Sequence, residues 1–189
     1  MAIYDTQGII LKKIDFGEAS QIFSFYTQDF GKLIIIGQGT KKIVSKLNSS
    51  LQFFSVINIS IVKGKNYDKL TAASIYQSFP NIMKDLKKTF YANFALELIN
   101  KLTKASQADV RIFLLLKNFL TGLNQEQQKS LNSKWRAWRH DFIVKILGLL
   151  GYLPDEEIAS DEEKLNNFLS HYLEKELLVE KVFNNIALD

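Results

Sequence analysis

The chain has 189 residues, enough for one large domain or two small ones. Its 24 basic residues exceed its 20 acidic residues, and the formal net charge of +4 permits nucleic-acid binding without requiring it. Cysteine is absent, which excludes disulfides, thiolate metal sites and a cysteine nucleophile. No segment approaches the roughly 18 uninterrupted apolar residues of a membrane span, and the start of the chain lacks a signal-peptide pattern. We therefore expect a soluble cytoplasmic protein.

Residues 1–79 follow the pattern of short β-strands. Segments 8–14, 20–27 and 32–36 are rich in β-branched and aromatic residues, and turn-like sequences containing glycine separate them. In segment 55–62, Ile57, Ile59 and Ile61 alternate with polar residues, as a half-buried strand requires. A fifth strand is predicted at 70–76. Five short strands in about 80 residues predict a small barrel, because closure removes the exposed strand edges.

Beyond Pro80 the apolar residues follow a helical period. They recur every four positions from Leu86 to Leu102, which places them on one side of a helix. A second helix is predicted to begin at Ser106, with Asp109 as its capping-box partner. A polar connector at 124–133 precedes a third helix.

The third helix is predicted to end at Gly151 and Pro154, and a fourth to begin at Ser160 with Glu163 as its capping partner. Residues 177–183 form a last apolar segment. The chain is thus predicted to be an α+β protein with two domains, a β-barrel in residues 1–79 and an all-α helical domain in residues 80–189.

Basic residues are concentrated in the predicted barrel. Between Asp29 and Asp68 the sequence has no acidic residue, but it has six lysines. Ammonium groups on one side of a barrel can neutralise phosphates and release counterions, which gives nucleic-acid binding without sequence preference. The candidate lysines are Lys12, Lys13, Lys32, Lys41, Lys42, Lys46, Lys63 and Lys65. The alternative is that these lysines only keep surface loops soluble.

Aromatic residues lie among these lysines, as bases of single strands would require for stacking. The candidates are Phe16, Phe53, Phe54 and Tyr67, each of which could instead pack in the core. His140 and His171 have no neighbouring ligand pattern, and the acidic run from Asp155 to Glu163 lacks the spacing of a calcium loop. No group of nucleophile, base and orienting residue is recognisable. We expect no catalytic site, metal or cofactor.

Several short motifs occur in an order that resembles the RecO family of bacterial DNA repair proteins. The first are QGIILK at 7–12, FGEAS at 16–20 and TQDFGK at 27–32. GTKK at 39–42, SKL at 45–47 and LQFF at 51–54 are similar to a basic segment of that family, with lysine in place of arginine. FIVKILGLLGYLP at 142–154 is similar to its helix with a Gly-Tyr-x-Pro ending.

The resemblance implies an N-terminal oligonucleotide-binding (OB) fold followed by an α-helical domain. It also implies binding of single- and double-stranded DNA, annealing of complementary strands and binding of the acidic, Phe-ending tail of single-stranded DNA-binding protein. With RecR, such a protein would help RecA to load onto coated single strands. None of these steps is covalent.

A pocket for that acidic tail is expected in the helical domain, formed by Phe113, Lys117 and Leu120 with Arg136 or Arg139. Apolar and cationic residues of the predicted helices would supply both parts of such a site. The alternative is a purely structural helix, in which Trp135 and Trp138 face the core and the cations are solvated.

The sequence departs from the family pattern after the Gly-Tyr-x-Pro motif. Many relatives have a four-cysteine zinc element there, whereas this chain has the acidic segment 155–163, so we predict no zinc. Two other classes of function remain open. The barrel could bind RNA, since OB folds serve both nucleic acids, or the chain could be a protein-interaction scaffold whose lysines only solubilise it.

Overall fold

The computed structural model describes residues 3–41, 47–65, 67–152 and 155–173. Five strands come first, and the strands predicted from the sequence are confirmed, with most of them longer at their ends. They are β1 (Ile3–Phe16), β2 (Ser20–Thr27), β3 (Gly31–Gly37), β4 (Ser55–Val62) and β5 (Asp68–Ser78). A short 3-10 helix, Asn48–Ser50, lies between β3 and β4.

The five strands close into a barrel with the order β1-β2-β3-β5-β4. Antiparallel pairing joins β1 to both β2 and β4, β2 to β3, and β4 to β5. A short parallel pairing of β3 with β5, at Ile35–Asp68 and Ile36–Lys69, completes the ring. Phe23, Phe25 and Ile35 are fully buried in the interior. This is the OB-like N-terminal fold that the resemblance implied.

Helices follow from Pro80 onward, as the change of apolar period predicts. They are α1 (Pro80–Met83), α2 (Leu86–Leu102), α3 (Val110–Gln125), α4 (Gln128–Leu149), α5 (Glu156–Ser160) and α6 (Glu162–Tyr172). Residues 177–183, the predicted last apolar segment, lie outside the described residues. In the described part of the chain, no helix combines the length and apolar character needed to cross a membrane.

Two predicted helix starts are wrong by a few residues. The Asp109 carboxylate accepts the Arg111 backbone N–H and caps α3, whereas Ser106 lies before the helix with a φ of 61°. The Asp161 carboxylate, not Ser160, accepts the N–H groups that begin α6. In both cases a full negative charge next to the helix N-terminus outcompetes the nearby hydroxyl.

The boundaries of α4 differ from the prediction at one end and agree at the other. The helix already begins at Gln128, so the predicted polar connector at 124–133 is too long. At the other end Gly151 has a φ of 78°, and its N–H donates to the Gly148 carbonyl while the Tyr152 N–H donates to the Leu147 carbonyl. This left-handed stop is the one that the glycine predicted. Pro154 lies outside the described residues.

The helices pack against one outer side of the barrel. Ile9, Leu11 and Tyr26 point out of the barrel and belong to the same buried cluster as the cores of α2, α3 and α4. The Tyr26 hydroxyl donates to the Asp109 carbonyl at 3.2 Å, and burial raises the pKa of Tyr26 to about 12. The Ser24 hydroxyl donates to the Asn100 side chain at 2.9 Å. The helices therefore cover one part of the β1-β2 surface and leave the rest open.

Candidate nucleic-acid interface

An apolar strip lies on the uncovered outer surface of β1, β2 and β3. Directly opposite residues of neighbouring strands share one side of a sheet. Ile14 lies opposite Ile22, and Ile22 lies opposite Ile36. Phe16 and Ile34 flank this row on the same side. We call these five residues, Ile14, Phe16, Ile22, Ile34 and Ile36, the isoleucine face.

Solvent reaches the isoleucine face. Ile14 and Phe16 are each 48% exposed and Ile34 is 38% exposed, while Ile22 and Ile36 are half-buried by their neighbours. Exposed large apolar side chains are ordinary when they occur singly, but several together on a rigid sheet mark a contact surface. The isoleucine face is therefore a candidate contact surface for a flat apolar partner such as a nucleic-acid base.

Lysines stand at both edges of the isoleucine face. Lys12 lies opposite Ser24, which lies opposite Ile34, and Lys69 lies opposite Ile36. Both ammonium groups are exposed and form no ion pair with any described residue. Lys69 is absent from the predicted set. The alternation of β5 could have identified it only together with the strand register.

Two more lysines lie on the β4-β5 turn. Lys63 and Lys65 are exposed, and neither forms an ion pair with a described residue. The turn lies beside the end of β3 because Asp68, the first residue of β5, lies opposite Ile35. These lysines thus extend the positive border that begins at Lys69.

Lys41 lies near the β1 side of the isoleucine face, but its positive charge is partly neutralised. Its ammonium nitrogen is 3.0 Å from an Asp15 carboxylate oxygen. The pKa of Asp15 lies below its usual value, first because the Gln21 amide donates to it and second because of Lys41. Lys42 and Lys46 lie outside the described residues. Of the three lysines that the basic segment offered, the structure therefore describes only this paired one.

Two of the candidate lysines have structural contacts instead of free ammonium groups. Lys13 donates to the Leu51 carbonyl at 3.4 Å and lies 5.6 Å from the centre of the Phe23 ring, and burial lowers its pKa. Lys32 donates to the Asn100 and Thr103 carbonyls, both at 2.6 Å, at the C-terminal end of α2. Burial also lowers the pKa of Lys32. We assign Lys32 to the junction between barrel and helices.

The four candidate stacking aromatics differ in their exposure. Phe16 and Tyr67 are about half exposed, at 48% and 47%. Phe54 is buried in the core with a φ of 55°, and Phe53 packs partly against it with ring centres 6.2 Å apart. Phe53 and Phe54 are thus core residues for the most part. Only Phe16 belongs to the isoleucine face.

The residues proposed for a tail-binding pocket do not form one site. Phe113 and Leu120 are buried among the helices, because they lie on the inner side of α3. Lys117 lies 5.3 Å from the centre of the Tyr76 ring. Arg139 donates to the Asn166 side chain at 2.9 Å, and Arg136 is exposed to solvent. The prediction correctly placed apolar and cationic residues on these helices but could not separate their inner and outer sides.

An aromatic groove of about 260 Å³ does lie between α3 and α4. The Phe119 ring centre is 4.7 Å from that of Phe142 and 6.3 Å from that of Trp138. Gly122 also lines the groove, and a Cβ atom there would lie 3.4 Å from the Trp138 ring, in van der Waals contact. At the rim, Lys145 pairs with Asp141 at 2.7 Å. The groove combines an aromatic floor with a cation at its edge.

Comparison with known proteins covers both regions. Residues 1–79 match the family model described as "Recombination protein O N terminal", and residues 83–172 match "Recombination protein O C terminal". A DNA repair protein RecO from Thermoanaerobacter sp. is 30% identical over 171 residues, which cover 89% of this chain and 67% of that protein. The chain belongs to the RecO family of DNA repair proteins.

Two other RecO proteins are also similar in sequence to most of this chain. The one from Caldanaerobacter subterraneus subsp. tengcongensis is 28% identical over 90% of this chain and 68% of its own length. One from Dehalococcoides mccartyi is 31% identical over 86% of this chain and 62% of its own length. The chain therefore spans about two thirds of the length of these RecO relatives. Among its described residues, no three His, Asp or Glu side chains come together as a metal site.

Proposed function

We propose that this chain acts in DNA repair by binding single- and double-stranded DNA on the isoleucine face, without reading sequence. The observation that carries the proposal is the exposed apolar strip between Lys12 and Lys69, neither of which has an ion-pair partner among the described residues. Apolar and aromatic side chains offer platforms for unstacked bases, and lysines exchange counterions with the phosphates. OB folds bind oligonucleotides on this strand surface and on the adjoining β1-β2 and β4-β5 loops.

The proposal extends to what the bound strands do. A surface that holds the backbone without base readout can accept either of two complementary strands, and this is what annealing requires. We propose that the chain anneals complementary strands and, with RecR, helps RecA to load onto single strands coated by single-stranded DNA-binding protein. This work needs no covalent step, cofactor or metal. It would take place in the cytoplasm, at the nucleoid.

Fluorescence anisotropy with a labelled oligonucleotide tests the DNA surface. Lys12→Ala/Lys69→Ala is compared with Lys84→Ala/Arg136→Ala, which removes the same charge from exposed sites in the helical region. We expect binding by the first variant to weaken by about tenfold and its salt slope to fall by roughly two, while the second variant binds almost as the parent does. Equal losses in both variants would mean that net charge, and not this surface, determines the affinity.

An RNA competitor separates the alternative from the proposal. Unlabelled DNA and RNA strands of one sequence are added to the same labelled complex. We expect DNA to compete at least as well as RNA, because the proposed contacts are to phosphates and base faces. Displacement by RNA at much lower concentration than by DNA would identify the barrel as an RNA-binding module.

A second proposal concerns the α3-α4 groove. We propose that it binds the acidic, Phe-ending tail of single-stranded DNA-binding protein, supported by its aromatic floor and the rim cation Lys145. An aromatic side chain would fill the groove, and Lys145 would exchange Asp141 for a carboxylate of the tail. This assignment replaces the predicted pocket built on the buried Phe113 and Leu120.

Calorimetric titration with the cognate tail peptide tests the groove. Lys145→Glu reverses the rim charge, and Lys134→Glu makes the same change elsewhere on α4, where Lys134 pairs with Glu126. We expect the first variant to bind at least fivefold more weakly and the second to bind as the parent does. The absence of saturable binding to the parent chain would refute the proposal.

A further inference from the structure

A second cavity lies where the barrel meets the connection between α2 and α3. Its volume is about 320 Å³, at the lower end of the range of ligand pockets, which is about 300–1,000 Å³. Leu33 and Ile61 form an apolar floor. Tyr4 and Phe30 form an aromatic wall, with ring centres 5.8 Å apart and planes at 74°. Such a space accepts a side chain with both a planar group and an aliphatic stem.

Two carboxylates, those of Asp29 and Asp68, line the same cavity, together with one cationic side chain, that of Lys63. One Asp29 oxygen accepts the Thr6 hydroxyl at 2.6 Å, and one Asp68 oxygen accepts the Gly64 backbone N–H at 3.2 Å. The second oxygen of each has no hydrogen-bond donor among the described residues. No described lysine or arginine lies within ion-pair distance of the Asp29 or Asp68 carboxylate. By contrast, the Asp15 carboxylate forms an ion pair with Lys41.

The cavity is already formed. Gly31 has a φ of 66°, and a Cβ atom there would lie 2.0 Å from the Gln107 carbonyl oxygen, so the α2-α3 connection packs directly on this turn. The Ser106 N–H donates to the Lys32 carbonyl at 3.0 Å and fixes the same connection to β3. A ligand would therefore meet fixed walls, and little ordering of the protein would oppose binding.

We propose that this cavity receives an arginine side chain from a partner protein. The planar guanidinium would lie against the aromatic wall and donate to the open oxygens of Asp29 and Asp68, while its aliphatic stem covers Leu33 and Ile61. Arginine fits better than lysine because its guanidinium is flat, more weakly hydrated and carries five donors in a fixed planar arrangement. Lys63 also reaches the cavity, but the carboxylates outnumber it.

A nucleotide fits the same cavity less well. Its base could lie against the aromatic wall, but its phosphate would approach two carboxylates and only one ammonium group, and like charges repel. Charge complementarity therefore favours a cationic side chain. This site is separate from the isoleucine face, so its occupant does not depend on the proposed DNA binding.

The test is an NMR titration of the whole isotope-labelled chain with acetyl-Gly-Arg-Gly-amide. We expect saturable shifts of the backbone amides of Asp29, Phe30 and Asp68, several-fold weaker binding of the lysine peptide, and no saturable shift with the norleucine peptide. Asp29→Asn/Asp68→Asn keeps the shape of the cavity but removes its charge, and it should abolish the shifts. Asp5→Asn is the control, because Asp5 also accepts one hydroxyl, that of Ser60, but lies outside the cavity.

Two results would overturn the proposal. If deoxycytidine monophosphate shifts these amides and the arginine peptide does not, the cavity binds a nucleotide. If neither probe shifts them in the parent chain, the cavity binds no such ligand. The titrations of the parent chain test the proposal even if Asp29→Asn/Asp68→Asn fails to fold. Oligonucleotide binding by the parent chain is measured on the same samples and does not require this cavity, so failure of this proposal is distinct from failure of the DNA proposal.

Discussion

The barrel and the helical region both contain aromatic and basic residues, but the isoleucine face and its border expose such residues whereas the centre of the helical region buries them. In the helical region Tyr91 stacks on Trp135 with ring centres 3.6 Å apart, and the buried Lys88 donates to the Glu126 carbonyl at 2.6 Å. On the barrel, Phe16 is half exposed and Lys12 has no ion-pair partner among the described residues. Composition alone therefore does not locate a binding surface. A binding surface is instead located by residues whose interactions remain unsatisfied among the described residues.

The largest expected effect separates a core aromatic from a surface aromatic. Phe94 is fully buried against Trp135, so Phe94→Ala should lower the free energy of unfolding by about 3–5 kcal/mol. Phe16→Ala should change it by less than about 0.5 kcal/mol, since Phe16 is half exposed. Urea unfolding measures both. Oligonucleotide affinity should show the reverse order, with roughly a fivefold loss for Phe16→Ala, and a surface role for Phe16 is wrong if its affinity is unchanged.

The next effect concerns the junction of the two regions. Lys32→Met removes the ammonium that binds the Asn100 and Thr103 carbonyls, and it should cost about 1–2 kcal/mol of stability. Lys104→Met is the matched control, because Lys104 is exposed nearby and has no partner among the described residues. Urea unfolding midpoints of the two variants give the comparison. Similar midpoints would show that Lys32 does not hold the helices to the barrel.

A smaller effect tests the start of α3. Asp109→Ala should cost about 1 kcal/mol at neutral pH, and Ser106→Ala should cost clearly less, because the carboxylate is the cap. The Arg111 side chain lowers the pKa of Asp109 in the folded chain. The stabilisation is therefore complete above the unfolded pKa of about 3.9 and is lost as the pH falls through the lower folded pKa. Thermal unfolding at neutral and acid pH measures it, and a difference that grows in acid would contradict this assignment.

The smallest expected effect is a gain in oligonucleotide affinity. Asp15→Asn removes the carboxylate that pairs with Lys41, so it should strengthen oligonucleotide binding by roughly two- to fivefold. Asp141→Asn frees Lys145 in the same way in the helical region and should leave the affinity unchanged. Anisotropy titrations compare the two variants. If both gain equally, net charge explains the result and the comparison between the regions fails.

The sequence predicted the strands and helices better than it predicted the contacts of individual residues. Alternation at Ile57, Ile59 and Ile61 identified β4, because a strand that is buried on one side records that side in every second residue. The alternation could not show which part of the outer surface of the barrel α2 covers. Lys32 is a junction residue because it lies where α2 covers the barrel. The Asp15–Lys41 pair was equally hidden, since its partners are distant in sequence and meet only through the barrel.

The same limit applies to the helical region. The apolar residues of α3 predict that the helix has a buried side, but apolar residues also continue around the helix. Phe113 and Leu120 were therefore indistinguishable from Phe119, which lines the α3-α4 groove. The partner helix determines which of them remains accessible. Family resemblance correctly gave the two-part fold, but the placement of the site residues needed coordinates.

The most direct test of the account is methyl NMR of the isoleucine residues during titration with a single-stranded oligonucleotide. We predict that the methyl signals of Ile14, Ile22, Ile34 and Ile36 shift or broaden together and saturably. Ile99 and Ile143, which are fully buried in the helical region, should serve as unperturbed references. Perturbation centred on helical isoleucines, with those four signals unchanged, would contradict the claim that DNA binds on the isoleucine face.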